Sequence, residues 1–284
     1  MNKVKYILII GLIVSISISA KAGIIYTPAD SVIFNKYISQ LSPEREKPIG
    51  EIIVKTAKFF IGKPYVAHTL EIEENENLII NFRELDCTTF VETCIALSKV
   101  VKSGDHTLMN YAHILTQIRY RRGVVDGYTS RLHYISDWKY ENEQNGILTD
   151  ITLDIGGETI IKPITFMSSH SNAYKNLKNN DIDIEKIKEI ERIIDKRNNY
   201  AVIPEQAIYS AEKQINDGDI IAFATSINGL DYSHIGIAYH EGKVLKFIHA
   251  SSTARKVVIQ DGSLHQYCKA NKSQVGISVF RVQN

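Results

Sequence analysis

A cysteine stands directly behind an aspartate at the head of an apolar run, Asp86-Cys87-Thr88-Thr89-Phe90-Val91. Far downstream, histidines recur in Ser233-His234-Ile235-Gly236 and in Phe247-Ile248-His249-Ala250. A thiol, an imidazole base and a group that orients the base are what a cysteine hydrolase requires. Position alone leaves two readings of Cys87 open. In the first turn of a helix its thiol feels the positive end of the helix dipole, which favours thiolate and lowers the pKa. Equally, cysteine is a small apolar residue that is commonly buried and inert. Cys94, seven residues further on, reads as packing.

The histidines bear on that choice. His234 and His249 fall in two adjacent predicted strands joined by His240-Glu241-Gly242-Lys243. A loop of Glu241-Gly242, or of all four residues, pairs Tyr239 with Val244 and sets His234 directly opposite His249, with Cβ atoms about 4.5–5.5 Å apart. A three-residue loop or a G1 bulge would shift that register. Alternation puts Gly236 and Ala238 on the same face as His234, so small residues leave room beside the imidazole. One cysteine and two histidines could also ligate zinc. The close-spaced pairs that mark zinc sites, CxxC and HExxH, are missing, and so is a glycine-rich phosphate loop. No metal and no cofactor is therefore expected.

The elements that must position these groups follow from periodicity. Pro48, suited to a first helical turn, precedes Ile49, Ile52, Ile53, Thr56 and Phe60 at helical spacing, with Gly62 and Pro64 ending the run. A second helix is expected over 87–103, closed by Gly104. Either Asp86 or Thr89 could cap it, and Thr89 to Glu92 has capping-box spacing. A third helix is expected within 106–123. Residues 126–200 hold short mixed segments and an amphipathic helix carrying Ile184, Ile187, Ile190 and Ile194, with Asp183 as its expected cap. The last third reads as strands: GDIIAFAT, SHIGIAYH, KVLKFIHAS, RKVVIQ and QVGISVFRV, each followed by turn residues. Helices first and an antiparallel meander after make an α+β fold.

The chain has 284 residues and a formal net charge of +1, without a dense basic run, which argues against nucleic acid or an anionic membrane surface as partner. Lys3 and Lys5, the apolar stretch Tyr6 to Ser19 and Ala20-Lys21-Ala22 have the form of a signal peptide cleaved after Ala22. The apolar stretch is shorter than the roughly 20 residues of a spanning helix. An exported protein is expected, periplasmic or secreted, with residues 23–284 as one domain and no membrane association beyond export. Three cysteines leave at least one free thiol. Cys87 and Cys94 lie about 10 Å apart along one helix, beyond the roughly 7 Å between Cα atoms that a disulfide spans. Cys268 alone could pair, and nothing local suggests it.

Asp86-Cys87-Thr88-Thr89-Phe90-Val91, Ser233-His234-Ile235-Gly236-Ile237-Ala238 and Phe247-Ile248-His249-Ala250-Ser251 together resemble the NlpC-type cysteine peptidases, a papain-like superfamily of bacterial cell-wall hydrolases. The resemblance implies Cys87 as nucleophile, His234 as base and His249 as the orienting third member. Gly62-Lys63-Pro64-Tyr65 is similar to the stretch from which a tyrosine reaches the oxyanion region, which implies that role for Tyr65 beside the Cys87 backbone N–H. More of the chain, in PYVAHTLE, SRLHYISDW, GLDYSHIGIA and DGDIIAF, resembles the secreted N-acetylmuramoyl-L-alanine amidase-like branch, formerly a domain of unknown function. It implies a papain-like NlpC-type fold, N-terminal helices on a C-terminal antiparallel sheet with 126–200 as an elaboration shaping the cleft. It also implies hydrolysis of the N-acetylmuramoyl-L-alanine amide bond in peptidoglycan or muropeptide fragments, with those fragments as the partners. Arg131, His133, Asp137 and Trp138 are the candidate substrate contacts, a guanidinium suiting a carboxylate and an indole a sugar face. The competing readings are an endopeptidase cutting the stem peptide after D-glutamate, a zinc amidase, and a non-catalytic envelope-binding protein.

Overall fold

Thr27 and Asp30 start the first helix by bonding each other's backbone N–H groups, with Pro28 at its first position. This reciprocal cap precedes α1 (Pro28–Leu41), which buries Phe34, Tyr37 and Leu41. The computed structural model describes residues 23–72, 75–197 and 200–284; the expected signal peptide lies outside the described residues. Ahead of α1, β1 (Ile24–Ile25) pairs in parallel with the later β2 (Leu78–Ile79). α2 (Ile49–Phe59) follows Pro48, which sits one residue ahead of the first turn rather than inside it. Then come α3 (Cys87–Ser103), α4 (Leu108–Arg119) and α5 (Ile135–Gln144). α3 ends where expected: Gly104 follows with φ 77°, the left-handed conformation that glycine adopts without Cβ strain.

The stretch after α5 carries two short strands, β3 (Leu148–Asp150) and β4 (Glu158–Thr159), the one-turn α6 (Phe166–Ser169) and the long α7 (Asp181–Arg197). The cap of α7 is Asn180, whose Oδ1 accepts the Asp183 N–H at 3.1 Å; Asp183, expected as the cap, is the capped residue three positions on. Ile187 and Ile194 pack with Tyr128, Tyr134, Met167 and Leu177 into a small core of their own.

The remaining elements are β5 (Ala201–Pro204), α8 (Ile208–Ala211), β6 (Ile220–Thr225), β7 (Tyr232–Glu241), β8 (Val244–Ser251), β9 (Lys256–Ile259), α9 (Leu264–Ala270) and β10 (Gln274–Val282). Among the described residues they build a mixed α+β architecture on one eight-stranded sheet of order β4-β5-β10-β6-β7-β8-β9, with β3 also on β10. Every pairing in it is antiparallel. One face carries Ile235, Ile237, Ile248 and Ala250 and meets Phe90, Val91, Cys94 and Ile95 of α3 in the main core. Because α2, α4 and the sheet surround α3, its apolar residues are buried on more than one side. The opposite face carries Phe223, Ala238, Leu245 and Phe247 and is covered by α8 and α9. All three cysteines are free, and Cys94 and Cys268 are buried. Burial of this kind, rather than cross-linking, holds the fold. Among the described residues no helix is long and apolar enough to cross a membrane.

Candidate active site

Cys87 is the first residue of α3. Asp86 caps it, its Oδ1 accepting the Thr89 N–H at 2.8 Å while Thr89 Oγ1 accepts the Asp86 N–H at 2.9 Å. The capping box is therefore Asp86 with Thr89. Glu92, the expected outer partner of Thr89, instead holds the buried Arg119 guanidinium at 2.7 Å. The thiol contacts Thr88 Oγ1 at 4.0 Å and lies near enough to the backbone N–H of Ile235, the residue after His234, for that dipole to favour its charged form. Paired residues of β7 and β8 run from Glu241–Val244 to Ile237–Ile248, so the thiol reaches β7 beyond the last of these pairs.

The helix start was expected to lower the thiol pKa, and the surroundings reverse that. Burial, with the Asp86 carboxylate adding to it, pushes Cys87 up to about 12, against weaker stabilisation by the hydroxyl and N–H donors. The resting thiol is neutral at pH 7.

The β7–β8 turn is Gly242-Lys243, because Glu241 pairs with Val244 and Tyr239 with Lys246. This register is two residues away from the expected one. Since side chains alternate with period two, a two-residue shift keeps both histidines on one face but makes them diagonal neighbours, with Gly236 opposite His249. They still meet: His234 Nε2 lies 2.6 Å from His249 Nδ1. Gly236 permits this, since a Cβ there would come within 2.8 Å of Phe247 Cδ2 and 3.2 Å of His249 Cβ. Phe223, Phe247 and Tyr267 pack round the two rings at centroid distances of 4.5–6.4 Å. Burial lowers His234 to about 3, with His249 contributing, and His249 to about 4. Both rings are neutral at pH 7.

Tyr65 is held by main-chain bonds on both sides, to Arg255 O at 3.0 Å and through its neighbours to Leu85. Its phenol is close enough to Cys87 and Asp86 that their charges, after burial, help raise its pKa to about 12. Tyr267 of α9 also feels the Cys87 charge. Sequence reading missed this tyrosine; its signal would have been the Ser263-to-Gln266 capping spacing that starts α9. It also missed Gln260, whose Oε1 lies 3.0 Å from His249 Nε2. An open cleft of about 900 Å³ is lined by His234, His249, Ser251, Lys256, Gln260 and Tyr267. Among the described residues no three His, Cys, Asp or Glu side chains are gathered as a metal ion would need.

The four candidate substrate contacts are elsewhere, and none lines this cleft. Trp138 is fully buried in the main core. Asp137, 1 % exposed, sits between Arg121 and Arg197 at 2.6 and 2.5 Å. Arg131 is taken up by Glu76 in a two-point ion pair at 2.9 and 2.7 Å. His133 lies over Tyr128, Nε2 2.9 Å from its carbonyl oxygen, and burial with the Arg131 charge lowers its pKa to about 3. Arg131, Asp137 and His133 are thus held by partners outside the set, Glu76, Arg121, Arg197 and the Tyr128 carbonyl, and Trp138 by the core.

A family model described as N-acetylmuramoyl-L-alanine amidase-like matches residues 55–277, a span holding Tyr65, Cys87, His234, His249 and Gln260. A comparison with curated proteins finds no match. Among solved structures, an N-acetylmuramoyl-L-alanine amidase from Bacteroides uniformis is 38 % identical, covering 83 % of this chain and 99 % of its own, with a TM-score of 0.77. A protein described as a putative xylanase from Bacteroides fragilis is also 38 % identical, covering 80 % of this chain and 100 % of its own, with a TM-score of 0.73. A Legionella pneumophila protein shares the fold at 23 % identity and a TM-score of 0.67, over 90 % of this chain and 95 % of its own. With most of its length matched by the family model and its architecture shared with these structures, the chain belongs to the N-acetylmuramoyl-L-alanine amidase-like family.

Proposed function

We propose that this protein is a cysteine-dependent amidase that cuts the bond between the lactyl group of N-acetylmuramic acid and L-alanine in peptidoglycan-derived muropeptides. The observation that carries the reading is the His234–His249 pair at 2.6 Å on β7 and β8, with Cys87 at the start of α3 near the backbone of Ile235, the residue after His234, all inside the family-matched span. The amidase named among the structural neighbours supports the bond assignment. The putative xylanase does not supply a rival mechanism: glycoside hydrolysis takes two carboxyl groups, and Asp261 is the one carboxylate among the described residues lining the cleft.

Thiol and imidazole both rest neutral, so the base acts during attack rather than before it. The imidazole of His234 takes the Sγ proton as sulfur adds to the lactyl carbonyl. The Cys87 N–H, first in α3 and without an intrahelical acceptor, and the Tyr65 hydroxyl stabilise the oxyanion. His234 returns its proton to the departing alanine nitrogen, and water activated by the same ring releases the acyl group. His249 keeps the His234 ring oriented. On this reading the fold is the papain-like NlpC type, residues 23–284 form one domain, and the protein acts in the periplasm or outside the cell after cleavage following Ala22.

Incubation with purified muropeptides and mass spectrometry of the products is the test. Release of the intact stem peptide with its L-alanine amine free is expected, and Cys87→Ala should abolish it. Cleavage after D-glutamate would make the protein an endopeptidase. Full activity in Cys87→Ala would sink the mechanism.

A further inference from the structure

The line of polar side chains that starts at His234 does not stop at His249. Beyond it, His249 Nε2 lies 3.0 Å from Gln260 Oε1, and Gln260 Nε2 lies 3.0 Å from the main-chain oxygen of Asp261. The Gln260 backbone is itself anchored, its N–H donating to the Phe247 carbonyl at 2.9 Å. Each step is a diagonal. His249 faces Val258 across β8 and β9, and Gln260 is two residues past Val258, as His234 is two residues from Gly236. Three polar groups thus run in one direction from β7 through β8 to the residue that follows β9.

A row of hydrogen bonds whose last member has a fixed sense has a fixed sense throughout. A peptide carbonyl can only accept, so the group facing the Asp261 oxygen is the Gln260 NH2. That turns the Gln260 carbonyl to His249. An amide oxygen also only accepts, so His249 carries its proton on Nε2. A neutral imidazole has one proton, so His249 Nδ1 holds a lone pair and accepts from His234 Nε2–H. The remaining nitrogen of His234, Nδ1, is then bare. Were the row reversed, His234 would present an N–H where a base is needed.

The geometry points to Gln260 as a positioning residue that sets the tautomer of both histidines and so leaves His234 Nδ1 free to take a proton from Cys87. This rests on the reading of Cys87 as nucleophile and His234 as its base. Gln260 lies outside the expected triad, and its side chain bonds His249 and the Asp261 carbonyl rather than the thiol, so it acts on the base through two rings.

The test is long-range proton–nitrogen NMR of the full chain with nitrogen-15 histidine, at neutral pH and without substrate, joined to muropeptide kinetics. Both His234 and His249 should show the Nε2–H form. A His234 with its proton on Nδ1 overturns the proposal. Gln260→Met, which keeps the length and removes the acceptor, should give mixed tautomers at both rings and lower kcat at least tenfold with KM within twofold. Gln260→Glu, which keeps an acceptor for His249, should restore the Nε2–H forms and most of kcat. A Gln260→Met protein with wild-type tautomers and kcat, or a Gln260→Glu protein no better than it, overturns the proposal. The spectra need no substrate, so expected tautomers in a protein that leaves muropeptides intact uphold the role of Gln260 and count against the amidase reading alone.

Discussion

His234 and His249 meet nitrogen to nitrogen at 2.6 Å from positions that are diagonal, not opposite, across β7 and β8. The pairing is close because the rings reach along the strands, and it places the second imidazole behind the first rather than beside it. If His249 only holds His234 in orientation, His249→Ala should lower kcat on muropeptides by on the order of 10²-fold, within the range general-base catalysis supplies. KM should stay within about twofold of the wild-type value, by the same reasoning that remote positioning leaves ground-state binding alone. A purely KM effect would make His249 a substrate contact.

Gly236 carries a second prediction. A methyl group there would press on Phe247 Cδ2 at 2.8 Å, the Ile248 oxygen at 3.0 Å and His249 Cβ at 3.2 Å. The Ile248 oxygen and His249 Cβ are fixed to the β8 backbone and cannot yield without moving that strand. Gly236→Ala should cost about 1–3 kcal/mol in urea unfolding, as overpacked cores do, and should depress kcat with it by displacing His249. Unchanged stability together with unchanged kcat would show that β8 gives way freely.

The raised thiol pKa sets a pH dependence. Cys87 is pushed up to about 12 from an ordinary value of 9.0, so the folded protein holds that proton after the unfolded chain has lost it. The associated stability is complete below about pH 9 and is lost as pH rises through the folded value. Iodoacetamide labelling of Cys87 in the substrate-free protein should therefore climb steadily from pH 6 to pH 10. A plateau below pH 7 would reveal a preformed thiolate. Asp86→Asn keeps a good helix cap while removing the neighbouring charge, and should speed labelling at pH 8.

The Glu92–Arg119 pair, both side chains 3 % exposed and 2.7 Å apart, lies against the same helix. Arg119 also gives Nη1–H to the Ile79 carbonyl at 2.8 Å. Arg119→Met strands a buried carboxylate and should cost about 3–5 kcal/mol in urea unfolding. Glu92→Leu combined with it should recover much of that. A loss below about 1 kcal/mol, the range of an exposed pair, would mean that water reaches Glu92.

The elements were legible where a local signal was strong. The run after Cys87 carries its cap, its apolar faces and its terminal Gly104 in seventeen consecutive residues plus one at each end, and α3 has those bounds. The five C-terminal strands follow their β-branched runs for the same reason. α1 also carries a local signal, since Thr27-Pro28-Ala29-Asp30 spells a reciprocal cap, and it lies outside the expected helices. The histidines share the expected face but not the expected register, since alternation fixes parity while only the turn fixes the count. Arg131, His133, Asp137 and Trp138 show the reverse failure. Composition suggests what such groups can bind, but whether they face solvent or other side chains of the protein depends on contacts 16 to 60 residues away. The thiol pKa departs from expectation for the same reason: the helix start is local, while burial comes from the main core against which Cys87 packs.

β10 is last of the strands in chain order, yet it lies inside the sheet, with β6 on one edge and β5 and β3 sharing the other. Until it docks, β6 to β9, with both candidate histidines, form one ribbon, β4 and β5 another, and β3 has no strand partner among the described residues, so their edges stay open. Closure depends on pairings more than a hundred residues apart in sequence, such as Val282 with Leu148, and contacts of that separation form slowly. The molecule's assembly is consequently gated by its own final strand. During synthesis the hairpin that carries His234 and His249 emerges before the strand that joins it to the rest of the sheet.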